Sequence, residues 1–399
     1  MPFSGLDYFA LDELLTDDER LVRDTFRRFV DDELMPIVAK HFRAGTFPME
    51  LPKKLGALGA LGASLEGYGC AGMGPIAYGL INQELERCDS GFRSFGSVQS
   101  SLVMYPIHAF GSDAHKERWL PRMAKGEAIG CFGLTEPDFG SNPSGMRTSA
   151  VKKGDRWVLN GEKRWITSGG IADVAVVWAR CDDGSGDTPP AAAGSTVRGF
   201  LVERGAPGFS TRNIEGKFSL RASVTSELVF EDCAVPLDAM LPGVKGLRGP
   251  LSCLNQARYG ISWGAVGAAM ACYDEALRYT KERVQFKKPI AGYQLVQEKL
   301  VNMVEEITKA QLLAWRLGKL KEAGKVRPQQ VSLAKRNNVR MARNVARDAR
   351  DLLGANGVTD EYQAGRHMCN LESVFTYEGT DHIHTLIVGE DVTGIAAFE

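Results

Sequence analysis

Apolar residues recur at helical spacing toward both ends of the chain and take on strand character in its middle. Val22, Phe26, Phe29 and Val30 step by three and four, the spacing that turns one stripe of a helix toward a core. Thr16-Asp17-Asp18-Glu19 precedes them as a capping box. Pro36 is expected to kink or interrupt that helix near its middle. Pro75 suits the first turn of a second helix running to about Cys88. Ser112 caps a third, which Gly126 closes. After about Ala128 the pattern changes. Arg156-Trp157-Val158-Leu159, Asn160-Gly161 and residues 162–167 read as a strand, a type I′ turn and a strand. Residues 174–178, 199–203 and 226–231 continue in the same style, and 182–196, rich in Gly, Ser, Asp, Pro and Ala, reads as a long loop. From about Gly249 the helical period returns. Val296, Leu300, Met303, Ile307 and Ala310 mark one face of a long helix, Gly354-Ala355-Asn356-Gly357 breaks the next, and a further helix is expected across 375–384. The order is α, β, α: an all-α domain over 1–127, a β domain over 128–245 and a helical domain over 246–399.

Composition narrows the class without choosing a function. The chain has 399 residues, enough for two or three domains. Lys plus Arg total 48 and Asp plus Glu 49, a formal charge of −1, so no bulk attraction to nucleic acid or an anionic membrane is expected. No apolar run reaches the roughly 20 residues of a transmembrane helix. The eight cysteines are scattered without a CxxC pair, which reads as reduced thiols rather than a metal site or disulfide scaffold. The start, MPFSGLDYFALDE, has no apolar signal core, so a cytosolic or matrix-type protein is expected.

Three segments can carry chemistry. Glu378 stands between Tyr377 and Gly379 with no charge in the two residues before it. Poor solvation there would raise its pKa and make it a better base, and Gly379 would admit a ligand close to the backbone. Alone, the same pattern also reads as a helix end. Phe132-Gly133-Leu134-Thr135-Glu136-Pro137-Asp138-Phe139-Gly140-Ser141 offers small residues and hydroxyls to a planar or phosphate ligand, or is a plain β-turn. Trp165-Ile166-Thr167 is a core tryptophan at a strand end or a wall for a flat ring. Arg336, Arg340, Arg343, Arg347 and Arg350 form a basic stripe on one helix; with Asp348 and Asp351 interleaved, a solvated or subunit-interface face is expected rather than nucleic-acid binding. His382 and His384 lack partners at metal-ligand spacing.

FGLTEP followed by GS, then WIT, then Arg283, Gln285 and Phe286, then DLLGANG, then TYEGT, in this order, resembles the acyl-CoA dehydrogenase family from about residue 17 to the end. Residues 84–87, 89–94, 97–102, 216–223 and 253–260 resemble its glutaryl-CoA-oxidising branch in particular. The resemblance implies an α+β fold with an N-terminal helical domain, a middle β-barrel domain and a C-terminal four-helix bundle. It implies an FAD between the last two. Phe132, Leu134, Thr135, Gly140, Ser141, Trp165, Ile166 and Thr167 would hold the flavin ring. Arg283, Phe286 and Gln294, with Asp351, Leu352, Leu353, Gly354 and Ala355 of a neighbouring subunit, would hold the pyrophosphate and adenine end. Thr380 and Phe398 fall at further flavin positions.

By the same resemblance Glu378 is the base for a thioester α-proton, with hydride leaving toward flavin N5. Substrate contacts would come from Glu86, Arg93, Ser94, Ser97, Ser141, Leu251, Asn255, Arg258, Tyr377 and Gly379. Arg93 aligns with the arginine that binds a distal carboxylate; read by itself it is also a surface loop residue. A guanidinium in an apolar tail pocket needs a partner, which a dicarboxylic acyl-CoA would bring. Glu86 and Tyr377 match polar residues of the decarboxylating enzymes, so glutaryl-CoA to crotonyl-CoA and CO2 is the expected reaction. A short-chain acyl-CoA or carrier-bound dehydrogenase or oxidase is the alternative within the family, and a non-catalytic acyl-CoA-binding or assembly protein the alternative outside catalysis. An electron-transfer flavoprotein and a homotetramer are the implied partners. The sequence departs from the family pattern at Asn142 after Gly140-Ser141, at Asp381-His382 after the base, and at Phe95-Gly96.

Overall fold

Thr16 opens the first helix through a reciprocal pair of bonds. Its hydroxyl accepts from the Glu19 N–H at 3.3 Å, and the Glu19 carboxylate accepts from the Thr16 N–H at 2.8 Å. These cap α1 (Asp17–Phe29), whose Phe26 enters the core beside Val30. The computed structural model describes residue 3, residues 5–182 and residues 196–397. The interruption expected near Pro36 is a π-helical turn at Val30–Leu34. Pro36 then lies in the first turn of α2 (Met35–Ala44), where a missing N–H goes unnoticed. After α3 (Leu51–Ala57) comes α4 (Pro75–Cys88), buried along its whole length beyond Pro75. α5 (Ser90–Ser97) runs through a π-helical stretch at Val98–Met104 into α6 (Tyr105–Phe110), and α7 (Asp113–Ala124) starts at the Ser112 cap.

Among the described residues, seven strands form one curled sheet: β1 (Gly130–Gly133), β2 (Ser149–Lys153), β3 (Arg156–Thr167), β4 (Val174–Asp182), β5 (Thr196–Glu203), β6 (Phe209–Asn213) and β7 (Thr225–Pro236). β1 and β2 lie end to end, parallel, along one edge of β4, and β5 pairs antiparallel along the other. β2, β3, β7 and β6 continue the sheet in that order. The hairpin expected at Asn160-Gly161 is not there. β3 runs straight through both residues, and the register against β7 slips between Leu159 and Gly161. Asn160 instead bonds Asp232 across the sheet, accepting from its N–H at 2.8 Å. A Cβ on Gly161 would lie 2.6 Å from Thr148 Oγ1, so this glycine admits a crossing backbone rather than a tight turn. The expected loop 182–196 lies outside the described residues except for its two ends.

The C-terminal part begins with α8 (Arg248–Glu282) and a short pair of strands, β8 (Val284–Gln285) and β9 (Lys288–Pro289). α9 (Gln294–Glu322), α10 (Pro328–Leu352), α11 (Gln363–Thr376) and α12 (Asp381–Thr393) complete a helical bundle. α10 packs against each of the other four, while α8 also packs on α4 and so ties the bundle to the first domain. The basic stripe of α10 is partly solvated, with Arg340 and Arg347 exposed, and its arginines are paired with acids. Arg340 makes a two-pronged pair with Asp381 at 2.6 and 2.5 Å, and Arg336 joins it at 3.7 Å. Arg343 and Arg347 share Glu372, and Arg350 meets Asp351 at 3.4 Å. Acids of α11 and α12 were too far along the chain to be read as its partners. Among the described residues no helix is long and apolar enough to cross a membrane.

Candidate active site

Glu378 occupies the gap between α11 and α12, not the single helix expected across 375–384. Its backbone is left-handed, φ +51°, and Gly379 follows at +92°. A Cβ at residue 379 would stand 2.8 Å from His384 Nε2 and 3.2 Å from Arg258 Nη2, so only glycine fits. Thr380 restarts the helix by accepting from the Ile383 N–H at 3.2 Å. A non-glycine left-handed residue costs about 1–2 kcal/mol. Two buried cations hold it there. Lys335 Nζ donates to the Tyr377 and Gly379 carbonyls at 3.0 and 2.8 Å, and Arg258 Nε donates to the Glu378 carbonyl at 2.7 Å. Bonds to charged donors contribute about 1.5–3 kcal/mol each, more than the strain requires.

The Glu378 side chain ends in an oxygen, Oε2, that is sealed from solvent and has no hydrogen-bond partner. Burial pushes its pKa above the ordinary carboxylate value, with Arg93, Arg258 and Lys335 pulling the other way. Burial drives Lys335 down to about 7, resisted by Glu378. His384, fully buried with neither ring nitrogen bonded, is pushed down to about 3 by burial and by Lys335 and Arg258, so its ring is neutral at pH 7.

Arg93 and Glu86 lie beside this loop, both removed from solvent, with Nε to Oε2 at 2.6 Å. Arg93 Nη2 also donates to the Tyr377 hydroxyl, and its guanidinium lies 5.6 Å from the Tyr377 ring centre. Nη1 and Glu86 Oε1 remain unpartnered. Burial pushes the Arg93 pKa down, but Glu86 and Tyr377 more than offset it and hold the guanidinium charged. The surface-loop reading of Arg93 is therefore incorrect: it sits in α5, locked between α4 and the loop before α12. Ser94 and Ser97 are buried on the same helix. Leu251, Asn255 and Arg258 share one face of α8, with Asn255 Oδ1 sealed and unbonded.

From α5 the π-helical stretch reaches the sheet, where Gln99 exchanges two 2.8 Å bonds with the Gly130 backbone at the start of β1. Phe132 in β1 and Leu134 just after it are buried, Thr135 is half-buried, and Gly140 and Ser141 are exposed. Beneath them Glu136 accepts from the Arg147 and Thr148 N–H groups and from Lys163 Nζ at 2.8 Å, and Lys163 also bonds the Leu134 carbonyl at 3.1 Å. At the end of β3, Trp165 is 56% exposed at φ +63°, followed by buried Ile166 and half-buried Thr167. An outward indole held by a left-handed backbone, beside two partly open hydroxyls and a glycine with open space above it, fits a flat heteroaromatic group. The core-tryptophan reading of Trp165 does not hold.

Arg283, Phe286 and Gln294 are exposed at the far end of α8 and the start of α9, roughly 37 Å along the helix from Arg258 at ~1.5 Å per residue. Asp351 pairs with Lys299, Leu352 is half-buried, Leu353 is in the bundle core, and Gly354 and Ala355 are exposed. Phe398 lies outside the described residues. Sequence reasoning missed Lys335, the Glu136–Lys163 pair and Gly264. For Lys335 a signal existed: it falls at helical spacing between Val331 and Asn338, on the inward face of α10.

Glu378 Oε2 thus stands sealed and unbonded on a cation-held loop, and the curled sheet carries a ledge that fits a flat ring. Family models described as the N-terminal, middle and C-terminal domains of acyl-CoA dehydrogenase match residues 16–127, 131–233 and 244–393. The chain belongs to the acyl-CoA dehydrogenase family, whose members are FAD-dependent oxidoreductases. It is similar to a glutaryl-CoA dehydrogenase from Mycobacterium smegmatis solved in complex with FADH2, at 53% identity and TM-score 0.95 over 100% of both chains. The butyryl-CoA dehydrogenase of Megasphaera elsdenii is 34% identical with TM-score 0.88, covering 95% of this chain and 98% of its own. The human mitochondrial short-chain specific acyl-CoA dehydrogenase is 34% identical over 94% of this chain and 90% of its own length.

Proposed function

We propose that this chain oxidises and decarboxylates glutaryl-CoA, giving crotonyl-CoA and CO2. The observation that carries the reading is Arg93: a fully buried, charged guanidinium with one unpartnered nitrogen, next to the candidate base. A substrate carboxylate supplies the missing acceptor, and a plain alkyl tail does not. Glu378 takes the α-proton, since its raised pKa brings it closer to a weak carbon acid. The Glu378 backbone N–H serves the thioester oxygen as enolate charge develops. Bound FAD supplies the two-electron acceptor for the hydride lost from the β-carbon. Phe132, Leu134, Thr135, Gly140, Ser141, Trp165, Ile166 and Thr167 would hold its ring, with Thr380 as a further contact. Arg283, Phe286 and Gln294 serve its other end, together with residues 351–355 of a second copy. Loss of CO2 leaves a dienolate, and Glu378 returns its proton to complete crotonyl-CoA. Glu86 and Tyr377 fix Arg93, which keeps the departing carboxylate in place.

A homotetramer passing electrons to an electron-transfer flavoprotein completes the reading, supported by exposed Phe286 and Leu295 at the bundle end. A desaturating short-chain enzyme is the second reading, favoured by the 34% identity with the human short-chain relative. Turnover of glutaryl-CoA against butyryl-CoA, with CO2 and peroxide measured, separates the two. Preference for butyryl-CoA with no CO2 would sink the first.

A further inference from the structure

We propose that Lys335 is a positioning residue for the base: by bonding the carbonyls on both sides of Glu378 it fixes the left-handed backbone that aims the carboxylate. The proposal rests on the reading of Glu378 as the base. Lys335 is buried to 1% exposure on the core face of α10, where an apolar side chain of equal length would pack without desolvating a charge. Its two bonds, 3.0 Å to Tyr377 and 2.8 Å to Gly379, skip the residue between and leave the Glu378 side chain unbonded. One ammonium thus sets where the strained turn begins and ends, while Arg258 holds only the middle carbonyl. The charged and titratable groups around it are Glu378 in the loop, Arg258 on α8, Arg93 on α5, and Asp381 and His384 on α12. Lys335 bonds only backbone carbonyls of the loop, so its influence reaches the reaction through the loop that carries the base.

The test uses the full-length, FAD-loaded protein and reads exchange of the thioester α-proton with D2O, for both butyryl-CoA and glutaryl-CoA. That readout isolates proton removal from decarboxylation. Lys335→Met is expected to keep flavin absorbance and a KM within about threefold of the parent, and to lose roughly a hundredfold in exchange rate and kcat, the scale of a misplacement of about 1 Å. Its acid limb should move to higher pH, because a cation next to Glu378 is gone. Lys335→Arg should recover part of the rate. Parent-like exchange and an unmoved acid limb in Lys335→Met would overturn the proposal. Should that variant not fold, Lys335→Gln and Lys335→Arg carry the test, and parent-like exchange and acid limb in both would overturn it equally. If the parent protein, or Glu378→Gln beside it, shows that exchange does not depend on Glu378, the base assignment fails and the positioning role with it. Exchange that is intact while CO2 is absent fails only the glutaryl-CoA reading.

Discussion

Arg93 and Glu86 form an ion pair with both side chains fully out of solvent, Nε to Oε2 at 2.6 Å, and each keeps one polar atom unused. A pair that satisfied itself would be a structural brace. This one has a spare donor, and the spare donor is what a carboxylated substrate needs. Removing a partner from a buried charge–carboxylate contact costs about 2–5 kcal/mol. Arg93→Met should therefore cut the ratio of kcat/KM for glutaryl-CoA to that for butyryl-CoA by roughly 30-fold or more. It should also lower stability by about 3–5 kcal/mol, because Glu86 is left buried without its cation. Adding Glu86→Gln should recover part of that loss but not the glutaryl-CoA preference. An unchanged substrate ratio in Arg93→Met would remove the basis for a dicarboxylic substrate.

Glu378→Gln should bind FAD and acyl-CoA but lose α-proton exchange. The pH dependence follows from the sign of the shift. Burial raises the Glu378 pKa in the fold, so the carboxylate base forms only above that raised value, and kcat should climb with pH through a limb above ~4.3. In the window between the unfolded and folded values the native state holds more protons, so this group's contribution to stability falls as pH rises. Glu378→Gln removes that charge. Its Tm should exceed the parent's at pH 8 and converge with it toward pH 4. A parent more stable than the variant at pH 8 would show that the three cations around Glu378 outweigh its burial.

Helix starts were legible in the sequence because capping is local. Thr16 with Glu19, Ser112, and Pro75 at a first turn need no tertiary context. Asn160-Gly161 misled for the same reason. The pair favours a tight turn, but Thr148 crosses within contact distance and turns the glycine into a site of close approach inside a continuous strand. Glu378 was legible through Tyr377 and Gly379, and its left-handed backbone was not. Lys335 disappeared among the arginines of α10, although it belongs to the opposite face. The basic stripe looked open because Glu372 and Asp381 reach it only after the chain has turned back twice.

Lys163 and Glu136 support the flat-ring ledge from below, and their pair predicts a stability effect with its own pH signature. Burial pushes Lys163 down to about 8, while Lys163 and two backbone N–H groups hold Glu136 below its usual range. Lys163→Met should cost about 3–5 kcal/mol, since Glu136 keeps its burial and loses its cation. It should also weaken FAD retention by loosening the Leu134 carbonyl. Between pH 8 and ~10.4 the unfolded chain binds more protons at this lysine than the fold, so the parent gains stability with rising pH there. The variant's curve should be flatter over that window. Chemical denaturation at pH 7, 8 and 9.5, read alongside flavin fluorescence, checks both parts.

Gly264, on α8, supplies the space that lets Glu86 and Arg93 meet. A Cβ at that position would run into Glu86 Oε2 and stand 3.0 Å from its carboxyl carbon and 3.2 Å from Arg93 Nε. Gly264 is helical and buried, so backbone strain is not the issue and alanine suits the helix by up to about 1 kcal/mol. What alanine disturbs is the geometry of one ion pair. Gly264→Ala should push the Glu86 carboxylate away from Arg93 while leaving both charges in place. The expected result is a KM for glutaryl-CoA raised by about tenfold or more, the equivalent of ~1.4 kcal/mol. Butyryl-CoA turnover and the Glu378 acid limb should change far less. The outcome separates placement from charge: a loss shared equally by both substrates would mean that α8 itself had shifted, and that Gly264 serves helix packing alone.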